Sequence, residues 1–294
     1  MFSFKFAPLL SLLLIIGCNG ATPDEAVSIS SQKTPPKTNV MSLLNIPYDP
    51  SGIDARKLDL YLPHAKRNEP LLIFIHGGAW IGGDKSMYST LAESFANEGV
   101  AVALVNYRLS TDPHVQNPKP VEDAALAFKY LVSESHEYGY LPTKIFVSGH
   151  SAGAHIAGMM ATGQFLQDVG IAASKAPAGF IGLEGIYDVP LLDKTFPSYQ
   201  DWFLTKAFGG KENWVKGSPT LRPVVLKSPW LVVQSTEDRL VDVAQASGFV
   251  NHLKQAGVQV ELWEKPDGDH GAVVQSLINP DNAVRLKILS FIGK

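Results

Sequence analysis

A serine, an aspartate and a histidine stand in this chain in an order that acyl-transfer chemistry can use, each just after a run of strand-forming residues. Gly149-His150-Ser151-Ala152-Gly153 puts the serine between Ile145-Phe146-Val147-Ser148 and a stretch of Ala, Gly, Ile and Met running to Met160. The first run reads as a buried strand and the second as a tightly packed helix. A turn with almost no length forces strained backbone angles on Ser151, and small residues two places either side let strand and helix approach. The hydroxyl is then held at a sheet tip beside the positive end of a helix. By itself the G-x-S-x-G pattern is loose, and Ser151 could be only the N-cap of a helix. Strand before and helix after favour the nucleophile.

A serine hydroxyl needs a base, and an imidazole needs a carboxylate to fix its tautomer and stabilise its protonated form. Asp238 follows the strand-like Trp230-Leu231-Val232-Val233-Gln234, and His270 follows Val258-Gln259-Val260-Glu261-Leu262-Trp263. Eight histidines compete. His76 belongs to a glycine loop and is expected to buttress it. His150 and His155 flank the serine on what read as the wrong faces of the elbow and helix. His64, His114, His136 and His252 lie in solvated or helical segments. For the acid, Glu237, Asp242 and Asp188 are alternatives to Asp238.

The elements that must position these groups alternate. Leu71-Leu72-Ile73-Phe74-Ile75 is a continuous apolar run, hence a central strand. It leads into His76-Gly77-Gly78-Ala79-Trp80 and Ile81-Gly82-Gly83-Asp84-Lys85, a glycine loop able to turn backbone N–H groups toward an oxyanion. Helical spacing covers Tyr88 to Glu98, Val121 to Ser133, 240 to 255 and Ala283 to Ile292. Val100 to Val105 and Ala178 to Leu183 read as further strands, and Leu58 to Pro63 as a half-exposed early one. The order implies an α/β fold on a mostly parallel central sheet with helices on both faces. Residues 190–225 break the rhythm, holding Trp202, Phe203, Phe208 and Trp214 without a clean strand. They read as a small helical cap insertion or as edge packing.

A length of 294 residues with 45% hydrophobic content suits one large domain. A formal charge of −3 without a basic run argues against nucleic acid, and one cysteine excludes an internal disulfide or a cysteine-built metal site. Residues 1–17 read as a secretory signal, with Leu9 to Ile16 as its apolar core. Ile16-Gly17-Cys18-Asn19 resembles the bacterial lipobox, which makes Cys18 the lipidated residue and places the protein in the cell envelope, on the periplasmic or outer face, or otherwise secreted. Residues 18–42 then form a flexible tether, and 43–294 the catalytic domain.

The glycine loop, Asn106-Tyr107-Arg108-Leu109 and Gly149 through His155 together resemble the α/β-hydrolase esterases related to hormone-sensitive lipase. They are closer still to feruloyl-esterase-like carboxylesterases and to kynurenine formamidases with their His-Gly-Gly-x-Trp motif. The resemblance runs from about Asp54 onward and thins after Ala161. It implies the α/β-hydrolase fold, a triad of Ser151, Asp238 and His270, and an oxyanion hole from the N–H groups of Gly78, Ala79 and Ala152, with Gly77 a further candidate. Ala79 stands where the esterase motif has a third glycine, which blurs the choice between the esterase and formamidase branches. The expectation is a serine hydrolase of small acyl or aryl esters working through an acyl-enzyme, needing no metal or organic cofactor. Its partners are then a small-molecule substrate and a membrane, with no protein partner evident. An arylformamidase is the first alternative and a non-catalytic binding protein of the same fold the remote one.

Overall fold

Alternate residues of the strand Glu69–Ile75 (β3) face opposite cores. Leu71, Ile73 and Ile75 join one buried cluster while Leu72 and Phe74 join the other. That two-sided burial is why the run is apolar without alternation. The computed structural model describes residues 40–64 and 68–294. Among them eight strands form one sheet in the order β1-β2-β4-β3-β5-β6-β7-β8. These are β1 (Val40–Pro47), β2 (Lys57–Pro63), β3, β4 (Ala101–Val105), β5 (Tyr140–His150), β6 (Gly179–Leu183), β7 (Trp230–Ser235) and β8 (Val260–Lys265). From β4 onward along that order every pairing is parallel, whereas β1–β2 and β2–β4 are antiparallel. This is the α/β-hydrolase arrangement.

Helices Lys119–Ser133, Ala152–Ala161 and Val243–Gln255 cover one face through the first cluster; Ser89–Asn97 and Ala283–Phe291 cover the other. Two sequence expectations need correction. The tether was placed to residue 42, but Val40 already pairs with Pro63 at the start of β1. This edge strand is half-exposed to exposed throughout, so it lacks the apolar alternation that announces a strand. The early strand at Leu58 is consequently the second, and its five inner residues are buried, Asp59 included. Asp59 tolerates burial because it pairs with Lys85, 2.9 Å away. Residues 1–17, Cys18 and most of the tether lie outside the described residues. No helix among the described residues is long and apolar enough to cross a membrane.

The segment 190–225 is a chain of short turns of helix, Val189–Thr195, Gln200–Leu204 and Thr205–Phe208 among them. Its aromatic side chains divide. Phe208 and Trp214 enter the core, whereas Trp202 remains 55% exposed.

Candidate active site

Six non-glycine residues among those described adopt a positive φ, and four of them, Ala79, Trp80, Ser151 and Glu184, stand just beyond the C-terminal ends of β3, β5 and β6. Strained backbone concentrates at working sites when the surroundings over-determine it. At Ser151 (φ 55°, ψ −118°) the cause is the elbow: β5 ends at His150 and the helix begins at Ala152. Its N–H donates to Leu183 O at 2.9 Å, tying the turn to β6. Gly153 lets the helix start this close, since a Cβ there would stand 2.0 Å from Ile75 O.

Ser151 opens onto a cavity of about 350 Å³ that His270, Gly78 and Ala79 also line. His270 Nδ1 is 2.8 Å from Asp238 Oδ2. A carboxylate can only accept, so Nδ1 carries the proton and Nε2 is left bare as a base. Asp238 Oδ1 accepts from the N–H groups of Leu240 and Val241, each at 2.9 Å, and Gln234 Nε2 donates to Oδ2 at 3.1 Å. Burial pushes this carboxyl up, but the hydrogen bond and charge of His270, then the two N–H groups, outweigh it and hold Asp238 below the ordinary carboxylate value. The alternative acids are committed elsewhere: Asp242 caps its helix through Ala244 N–H at 2.8 Å, and Asp188 accepts from Leu191 N–H at 2.9 Å. Glu237 is exposed.

The glycine loop after β3 lines the same cavity with Gly77, Gly78, Ala79 and Gly83. Among the described residues no acceptor engages the N–H of Gly78, Ala79 or Ala152. Gly77 differs, because its N–H donates to the Tyr88 hydroxyl at 3.3 Å. This removes it as a free oxyanion donor, a partnership across eleven residues that the glycine pattern could not announce. His76 buttresses the loop as expected. Its ring stacks on Tyr107 with centroids 4.3 Å apart, and its Nδ1 lies 2.7 Å from Gly77 O. Asn106, Tyr107 and Arg108 prove to be scaffold. Asn106 bridges Asp84 Oδ2 (2.6 Å) and Lys85 N–H (2.7 Å), and Arg108 grips the buried Asp123 at 2.8 Å.

His155 is buried between two elements. It accepts from Trp80 Nε1 at 3.2 Å through Nδ1, so Nε2 is the protonated nitrogen and donates to Gly217 O at 2.7 Å. Burial pushes its imidazole down to about 4. His150 is not on a wrong face. It lines the cavity with its ring centroid 4.8 Å from that of His270. The extended end of β5 turns it there, an effect of strand direction that the elbow motif hides. Its Nε2 is 3.2 Å from Oε2 of Glu184, a buried residue that sequence reasoning passed over. A carboxylate immediately after a core strand was the available signal. His150, Glu184 and His270 bring ring nitrogens and a carboxylate oxygen within 4.8 Å of one another. Those atoms are already spoken for, Nδ1 of His270 by Asp238 and Nε2 of His150 by Glu184. The arrangement therefore reads as a hydrogen-bond network. Tyr199, Trp202 and Phe203 from the 190–225 segment wall the cavity's apolar side, with Met87, Ile186 and Leu240.

Known proteins share the sequence pattern and the fold. The BD-FAE family matches residues 58–253. An isoprenylcysteine α-carbonyl methylesterase of Arabidopsis thaliana is 30% identical over 223 residues, covering 70% of this chain and 51% of that protein. A kynurenine formamidase of Meyerozyma guilliermondii is 29% identical over 223 residues, covering 71% and 81%. The chain spans about half the length of the plant methylesterases it matches. Among solved structures, esterase B of Lactobacillus rhamnosis superposes with a TM-score of 0.72 at 22% identity, covering 86% and 85% of the two chains. A truncated carbohydrate esterase from gut microbiota superposes with a TM-score of 0.72 at 21% identity, covering 88% and 98%.

Proposed function

Because the chain belongs to the BD-FAE family of α/β-hydrolase esterases, we propose that it is a serine hydrolase cleaving small acyl or aryl carboxylic esters through an acyl-enzyme. The observation that carries this reading is the strained Ser151 opening onto the cavity that His270 lines, with Asp238 fixing the His270 tautomer. Ser151 Oγ bonds to the substrate carbonyl carbon as His270 Nε2 takes its proton. The carbonyl oxygen becomes an oxyanion that the N–H groups of Gly78, Ala79 and Ala152 stabilise, each such donor contributing on the order of 10²–10³ in rate. The C–O bond to the leaving alcohol breaks, and His270 returns the proton to that alcohol. Water repeats the sequence and releases the acid. A cavity of about 350 Å³ with an apolar wall suits a small acyl or aryl group better than a long chain.

An arylformamide is the second reading, supported by the formamidase relative and its 81% coverage. The same machinery attacks a formyl carbon, with an arylamine as the leaving group. Hydrolysis of p-nitrophenyl esters of rising chain length, beside N-formylkynurenine, separates the two. Ester turnover should dominate, fall with chain length and vanish in Ser151→Ala. Absence of both turnover and fluorophosphonate labelling in the wild type would refute the enzyme reading. The lipid anchor is a separate proposal, resting on the lipobox at Cys18. Palmitate labelling should be lost in Cys18→Ser.

A further inference from the structure

One charged group at the centre of the site has no place in the reaction as written. Glu184 follows β6 with a φ of 50° and is completely buried. Its Oε2 accepts the Gly271 N–H at 2.8 Å, lies 3.2 Å from His150 Nε2 and stands 4.0 Å from His270 Nδ1. Its Oε1 has no hydrogen-bond partner among the described residues. A left-handed backbone on a long side chain and an orphaned carboxylate oxygen both cost stability. Among the described residues no lysine or arginine pairs with Glu184. Burial pushes the His150 imidazole down, so His150 is neutral and offers only an N–H. The one group beside Glu184 that gains a positive charge during turnover is His270.

We infer that Glu184 is a positioning residue for His270, a second buried carboxylate that holds the base in place through the Gly271 N–H and stabilises the imidazolium formed as Ser151 is acylated. This rests on the reading of Ser151, Asp238 and His270 as a triad. The two carboxylates divide the work. Asp238, in direct contact, fixes the tautomer. Glu184 is too far from Nδ1 for a strong hydrogen bond and acts through its charge, which a water-poor site screens weakly. The groups that contact His270 or share its cavity are Asp238 after β7, Glu184 after β6, His150 and Ser151 at the end of β5, Tyr199 from the 190–225 segment and Tyr88 beyond the glycine loop. The glycine loop brings no charge to the cavity, and Asp267 and Asp269 on the histidine's own loop are exposed.

Glu184→Gln keeps the size and an acceptor oxygen for Gly271 while removing the charge. With p-nitrophenyl acetate, and kcat expressed per fluorophosphonate-titrated site, kcat should fall about tenfold with KM within about twofold. The acid limb of the pH–rate profile should move to lower pH, because the imidazolium loses one of two anionic neighbours. Glu184→Asn is equally neutral and more at ease with a positive φ, so it should reproduce the shift. Glu184→Asp should leave the limb in place even where kcat drops. If Glu184→Gln matches wild type in kcat per titrated site and in its acid limb, the inference is overturned, whatever its melting temperature. Failure of the triad reading looks different: wild type without turnover or labelling, or Ser151→Ala with wild-type activity.

Discussion

The loop that leaves β3 and the loop that leaves β8 converge on Ser151 and are held in contrasting ways. From His76 to Lys85 the chain is pinned at nearly every step. His76 stacks on Tyr107, Trp80 reaches His155, and the buried Lys85 ammonium bonds Asn45 and Asp59. From Pro266 to Gly271 three of six residues are exposed. The tethers there are Asp238 on His270, Glu184 on Gly271, the Ser235 hydroxyl on the carbonyls of Asp267 and Gly268, and the Lys265 ammonium on Asp267. N–H dipoles that stabilise an oxyanion are effective when they need no reorganisation, and a loop pinned in this way suits the oxyanion role proposed for it. On the proposed reading, His270 gains and loses a proton, and the carboxylates of Asp238 and Glu184 near it would grip more strongly as it becomes charged.

Breaking the β8 side at its strongest tether should have the largest effect. Asp238→Asn preserves shape but allows the wrong His270 tautomer, and kcat on p-nitrophenyl acetate should fall on the order of 10³–10⁴-fold with KM little changed. The β3 side carries a pH-dependent contribution to stability instead. Since burial holds the His155 imidazole at about 4 against an ordinary 6.5, the unfolded chain binds more protons between those values. Stability from this group is therefore complete above pH 6.5 and lost as pH falls toward 4, by roughly 2–3 kcal/mol. Chemical denaturation across that window should show the slope, and His155→Gln should flatten it. Gly77→Ala probes the same loop sterically. Its Cβ would lie 2.9 Å from His150 Nδ1 and 3.2 Å from Ser151 Cβ. Displacing the loop from the nucleophile should lower kcat by about tenfold to a hundredfold. Ser235→Ala removes an uncharged tether of the β8 loop, and a loss of about 1 kcal/mol predicts roughly a fivefold drop in kcat/KM. A larger effect there than at Gly77 would invert the contrast between the loops.

That contrast also explains which parts could be read from the chain. The β3 loop and the elbow are local: strand, glycines, serine and helix are contiguous, so their residue types betray their geometry. The pairing of Asp238 with His270 was legible because each follows a strand-forming run, the buried β7 and the edge strand β8. Glu184 and His150 were not, because their meeting depends on β5 and β6 being neighbours and on Gly271 folding back across 87 residues to the Glu184 carboxylate. The engagement of the Gly77 N–H was hidden for a similar reason, its partner being a side chain one helical segment away. At β1 the failure is one of pattern. An exposed edge strand buries too little to impose an alternation on its sequence.

The bridge from Trp80 through His155 to Gly217 joins three parts of the chain that sequence treats as separate. Mechanically they are in series. Any remodelling of the 190–225 segment that shifts the Gly217 carbonyl will be transmitted through one imidazole to the residue next to Ala79. For the proposed hydrolase, acyl preference and turnover would then be coupled around Gly217. The coupling is looser at Trp202, which lines the cavity, stands exposed and reaches the bridge only through the packing of Phe203 on Trp80. Divergence toward new substrates has its freest passage there.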